Sequence, residues 1–110
     1  MELYDEEIEK EILNSKVPVL VEFYADWCRP CKVMEPIVKE IENELRDKIK
    51  VIIVDIEKDP KISQKFTVMS LPTIQIYKNG AKIKHLVGVQ DKKKLMTSLE
   101  DITPLFYKSN

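Results

Sequence analysis

Glycine and histidine are scarce in this sequence, and their scarcity removes whole classes of function. Gly80 and Gly88 are the only glycines. A dinucleotide-binding GxGxxG loop takes three glycines and a GxxxxGK phosphate loop takes two at a fixed spacing, so neither is present. His85 is the only histidine. That excludes an HExxH zinc helix and leaves a Ser-His-Asp triad only a side chain next to Lys84. Two cysteines and one histidine cannot fill a four-ligand structural zinc site without carboxylates. A surplus of charge is missing too: 18 basic and 19 acidic residues give a formal net charge of −1, which supplies no general reason to expect nucleic acid or an anionic membrane as partner. No apolar run is long enough to span a bilayer. The N-terminal stretch carries Glu2, Asp5, Glu6, Glu7, Glu9 and Glu11, where a secretory signal would carry a basic start and an apolar run. The chain is therefore expected in the cytoplasm. In that reducing compartment a cysteine pair is expected to be reactive or metal-binding rather than a structural staple.

What is present suits one globular domain over residues 1–110, with 44% hydrophobic residues and enough length to bury about two-thirds of the unfolded surface. Tyr4, Ile8 and Ile12 recur at helical spacing. Val17 to Ala25 and Val51 to Ile56 are continuous apolar runs of strand length, expected at central positions of a sheet covered on both faces; Pro18 places the start of the first at an edge. Met34, Ile37, Val38, Ile41 and Leu45 mark one face of a helix over 30–47, with Pro36 inside it. Pro60 opens a short helix carrying Ile62 and Phe66. Asn79-Gly80 between Thr73–Lys78 and Lys82–Val87 signals a hairpin. Asp91 caps a last helix with Leu95, Leu99 and Ile102 on its core face, and Thr103–Asn110 reads as a tail after it. The order αβαβαββα predicts an α/β fold: a central mixed sheet flanked by helices on both faces.

The sharpest feature is Trp27-Cys28-Arg29-Pro30-Cys31-Lys32, set between the first apolar strand and a helix. Two intervening residues bring two sulfurs within bonding reach at a helix start. Cys28 then lies just ahead of the unpaired N–H groups, whose partial positive charge favours thiolate, the nucleophilic form. Arg29 adds a full charge nearby. Cys31, one turn further in, is expected to be more buried and less reactive, which suits dithiol exchange in which one sulfur attacks and the other resolves. Zinc and iron–sulfur sites also use this spacing, but they need about four ligands and the chain has no second pair. A metal bridge between two chains and a binding module with an incidental dithiol are the readings from other classes.

Val21 to Lys32 resembles the active-site segment of the thioredoxin family. Pro36 resembles that family's helix-kinking proline, Val54-Asp55-Ile56-Glu57 its second-strand motif, Leu71-Pro72-Thr73 its cis-proline segment, Lys78-Asn79-Gly80 its hairpin and Val87-Gly88 its late glycine. The resemblance spans nearly the whole chain. It implies a thioredoxin-like fold and protein-disulfide reductase activity, with Cys28 attacking, Cys31 resolving and the pair forming a redox-active disulfide. It also implies a substrate-binding surface of Trp27, Leu71, Pro72 and Gly88, no cofactor and no metal, a thioredoxin reductase-type partner, disulfide-containing substrate proteins, and a monomer. Glu22, a carboxyl inside an apolar strand, takes the position of the family's buried acid and is expected to accept the proton of Cys31. The departures are Glu22 where the family usually has Asp, Tyr24 for a frequent Trp, Ile53 for a lysine near the buried acid, and Arg29 for Gly. Arg29 and Pro30, between the cysteines, tune the redox balance. A cation at Arg29 favours the reduced thiolate form and with it an oxidase or isomerase role on the same fold.

Elsewhere, His85 is expected to be exposed on an outer strand, and Lys92-Lys93-Lys94 to form a solvated helix start. Met34 is expected to pack in the core and Met69 to line the substrate groove.

Overall fold

Local signals account for each element of the structure, a computed structural model that describes residues 5–102. Tyr4 and the expected tail 103–110 lie outside the described residues. Helix α1 (Asp5–Asn14) opens on Asp5, Glu6 and Glu7, whose charge suits the N–H groups of a first turn, and it buries Ile8 and Ile12. Strand β1 (Val19–Tyr24) follows Pro18, which stays outside it. Helix α2 (Arg29–Leu45) has Pro30 in its first turn, where no N–H is needed, and Pro36 inside. A 3-10 turn over Arg46–Lys48 leads to β2 (Lys50–Asp55). After α3 (Lys61–Lys65), the strands β3 (Thr73–Lys78) and β4 (Ala81–Val87) precede α4 (Lys92–Ile102). Asn79 and Gly80 have φ of 54° and 80°, the pair of positive values that a two-residue hairpin of right-handed twist demands. Asp91 caps α4, its Oδ2 accepting from Lys94 N at 3.1 Å.

The four described strands form a mixed sheet in the order β2-β1-β3-β4. β1 runs parallel to β2 and antiparallel to β3, and β4 closes the hairpin. Alternation along β1 sends Val21 and Phe23 into a core with Ile8, Ile52 and Ile62, while Leu20 enters a second core with Met34, Ile41, Ile74, Leu95 and Leu99. Glu22 shares the parity of Leu20, so it faces α2.

Two expectations about the sheet need correction. β1 is interior along its length, with partners on both sides from Val19 onward. β2 is an outer strand of the described sheet, with Val51 and Ile53 only half-buried. Its unbroken apolar pattern arises because Ile52 and Val54 meet one core and Val51 and Ile53 the other. Side-chain pattern reports covered faces, and it says nothing about a free edge. The lysine run also differs from expectation at one residue: Lys92 is half-buried and donates to Glu40 and Glu44 of α2, tying the two helices together. His85 is exposed on β4, its Nδ1 3.1 Å from Gln75 Nε2. Met34 is fully buried, as expected.

Candidate active site

The chain leaves β1 at Tyr24, turns through Ala25 to Trp27 and enters α2 at Arg29. Cys28 N donates to Ala25 O at 3.1 Å, which closes the turn. Cys28 is the N-cap of α2, in extended conformation, and its Sγ accepts from Cys31 N at 3.2 Å. The two cysteines are joined as a disulfide with Cα atoms 5.3 Å apart. Arg29 is exposed at the first helical position, and Pro30 follows it. The expected difference in burial is not observed: Cys28 is 4% exposed and Cys31 3%. Both pack with Ala25 beneath Tyr24, Ile56 and Leu71. Their asymmetry is in hydrogen bonding: among the described residues, only Cys28 Sγ receives a helix N–H.

Trp27 is 68% exposed, so it is a surface residue and not a core one. Its indole Nε1 donates to Glu57 Oε2 at 3.0 Å, and Glu57 N in turn donates to Asp55 Oδ1 at 2.9 Å. The sequence marks Glu57 only as part of a strand motif; this tie to Trp27 was not foreseen. The Leu71–Pro72 peptide is cis. Leu71 reaches the cysteine cluster, and Pro72 O accepts from Gly88 N at 2.8 Å, which joins that loop to the end of β4. Met69 is 89% exposed in the same loop. Gly88 has φ +89°, and a Cβ built on it would meet no atom within 4 Å. Glycine is required there by backbone conformation, with open space outside it. Gly88→Ala is therefore expected to destabilise the chain by about 1 kcal/mol without any internal clash. Urea unfolding would show this as a lowered midpoint at unchanged slope.

Glu22 is the buried acid of β1. It is 2% exposed, and its Oε1 has no hydrogen-bond partner. Ile53 is beside it on β2 and Ile74 on β3, both apolar, so neither adjoining strand offers a cation. Burial first, and the Glu35 carboxylate second, push the Glu22 carboxyl up to about 7 from an ordinary 4.5. A cleft of about 110 Å³ reaches Glu22; Cys31, Asp26, Lys32, Glu35 and Ile53 line it as well. Glu35 is a site residue that the sequence motifs do not mark. The available signal was its place four residues after Cys31, one turn along the same helix face. Among the described residues no group of three or more His, Cys, Asp or Glu side chains gathers as metal ligands do. Among them, too, no helix is long and apolar enough to cross a membrane.

A disulfide closed across a helix N-terminus, at the end of an interior strand and with Cys31 sharing a cleft with a buried carboxyl, is the site of a dithiol–disulfide oxidoreductase. The thioredoxin family model matches residues 1–101. A thioredoxin of Rickettsia typhi is 44% identical over 92 residues, 84% of this chain and 88% of that one. A bifunctional thioredoxin reductase/thioredoxin of Mycobacterium leprae is 36% identical over 104 residues, 94% of this chain and 23% of that one. A solved mutant thioredoxin from Halobacterium salinarum superimposes with a TM-score of 0.83 at 26% identity, covering 94% of this chain and 89% of that one. The chain belongs to the thioredoxin family, and it is a protein-disulfide oxidoreductase.

Proposed function

We propose that the chain reduces protein disulfides with Cys28 as the attacking sulfur and Cys31 as the resolving one. A single observation carries the assignment: Cys28 caps α2, and its Sγ accepts the Cys31 N–H at 3.2 Å. In the reduced protein that N–H and the helix end favour a thiolate at Cys28. The thiolate attacks a substrate disulfide; a Cys28–substrate bond forms and one substrate thiolate leaves. Cys31 gives its proton to the Glu22 carboxylate and attacks Cys28 Sγ. The Cys28–Cys31 bond forms, the second substrate thiolate leaves, and two electrons have passed to the substrate.

Trp27, Leu71, Pro72 and Gly88 are the surface on which an extended substrate segment rests, with exposed Met69 beside Leu71. The closed disulfide is reopened by a thioredoxin reductase-type partner. The chain works as a single domain over 1–110, as a monomer, in the cytoplasm. Turnover of insulin disulfides with dithiothreitol as electron source tests this reading. Absence of turnover by the reduced protein would leave only a binding module.

Arg29 and Pro30 set the redox balance. Arg29 is solvent-exposed, so its charge acts on Cys28 through water and salt. Arg29→Gly is expected to make the potential more negative by about 10 mV, less in high salt. Equilibration with glutathione reads this directly, and a potential unmoved or less negative would remove Arg29 from redox tuning.

A further inference from the structure

The cleft beside Cys31 is lined by two glutamates, Glu22 and Glu35. Glu22, on β1, has a buried oxygen without a partner. Glu35 comes from α2, four residues beyond Cys31, so the resolving sulfur and Glu35 follow one another on the helix face that meets Glu22. The other titratable or charged groups on that cleft are Lys32 of α2, Asp26 of the turn and the Tyr24 phenol of β1. β2 and β3 present Ile53 and Ile74 to Glu22. No cation reaches Glu22 from the sheet, and charge comes to it chiefly across the cleft.

We propose that Glu35 is a positioning residue for the proton of Glu22, and that through Glu22 it sets the pH range in which the Cys31 step runs. An ionised Glu35 at the exposed side of the cleft disfavours a second negative charge inside it. Glu22 therefore keeps its proton to higher pH than an ordinary glutamate, with Glu35 as the second cause after burial. When Cys31 attacks, its proton passes to Glu22, which must first have released its own to solvent through the cleft; Glu35 governs how readily that release happens. This deepens the proposed mechanism and rests on Glu22 being the proton acceptor of Cys31.

Two readouts on the full chain separate the two ideas. The first is the titration of the Glu22 carboxyl, followed by carbon-13 NMR in the oxidised protein. The second is stopped-flow release of thionitrobenzoate from Ellman's reagent, in which the first release reports attack by Cys28 and the second reports resolution by Cys31. In Glu35→Gln the carboxyl midpoint is expected to fall by about half a pH unit to one unit. The second release should then speed up by about threefold at pH 6 and change little at pH 8. Glu35→Lys should move both further in the same direction. A side chain that only supports the helix would not order these variants by charge. If the carboxyl midpoint stays put in both Glu35 variants, the proposal is wrong while the role of Glu22 stands. If the midpoint moves and the second release ignores it, Glu22 is not the proton acceptor, and the control of the Cys31 step by Glu35 falls with it.

Discussion

Replacing Cys31 with serine is expected to leave a protein that attacks disulfides and cannot release them. Insulin turnover should fall by ~1,000-fold or more, the scale on which loss of an essential nucleophile slows an enzyme. Reduced substrate should stay bound to Cys28 as a mixed disulfide visible by non-reducing electrophoresis and mass spectrometry. Cys28→Ser should lose turnover as completely and hold no substrate. Exposure does not distinguish the two cysteines, which are 4% and 3% exposed in the disulfide form. The helix cap does: Cys28 Sγ receives the Cys31 N–H, and among the described residues no matching donor serves Cys31 Sγ. Equal trapping by the two variants would overturn the roles.

The second large effect is on stability. Folding holds Glu22 at about 7, against 4.5 for an ordinary glutamate. Between those two values the unfolded chain has lost this proton and the folded chain has kept it. Stability therefore falls as pH rises from about 4.5 to about 7, and the deficit is complete above that. A difference of this size corresponds to roughly 3.5 kcal/mol at about 1.4 kcal/mol per pH unit. Glu22→Gln keeps the shape and cannot ionise. The oxidised variant is expected to be about 2 kcal/mol more stable than its parent at pH 8, somewhat less than the full figure because a buried amide also lacks partners. At pH 4.5 the two should be nearly equal. Urea unfolding at both pH values decides this, and an equal gain at both would show that ionisation is not the cause. The same variant is expected to resolve mixed disulfides more slowly.

Local chemistry made much of this molecule legible from sequence. Asn79-Gly80 forecast its hairpin, because few residue pairs adopt two positive φ values. Asp91 forecast the start of α4, and the cysteine spacing forecast the site, because both signals are confined to a few neighbouring residues. What could not be read depends on how elements are placed against one another. β2 looks like a central strand because both its faces are covered, and its open edge leaves no mark on side-chain pattern. The burial of Cys28 comes from Ile56 and Leu71, which are distant in sequence. Trp27 could be given a surface role only by resemblance, and its tie to Glu57 spans 30 residues. Glu35 looks like any exposed glutamate on an amphipathic helix until the cleft shared with Glu22 is seen.

The central claim is that Cys28 and Cys31 form a two-electron couple that reduces protein disulfides. Its most direct test is one stoichiometric turnover: reduced protein, freed of reductant, mixed with insulin and quenched with an alkylating agent. Mass spectrometry of the chain should show the loss of two hydrogens and a Cys28–Cys31 linkage, with one insulin disulfide opened for each chain oxidised. Cysteines that remain alkylated while insulin stays intact, or that end in bonds between chains, would contradict the account.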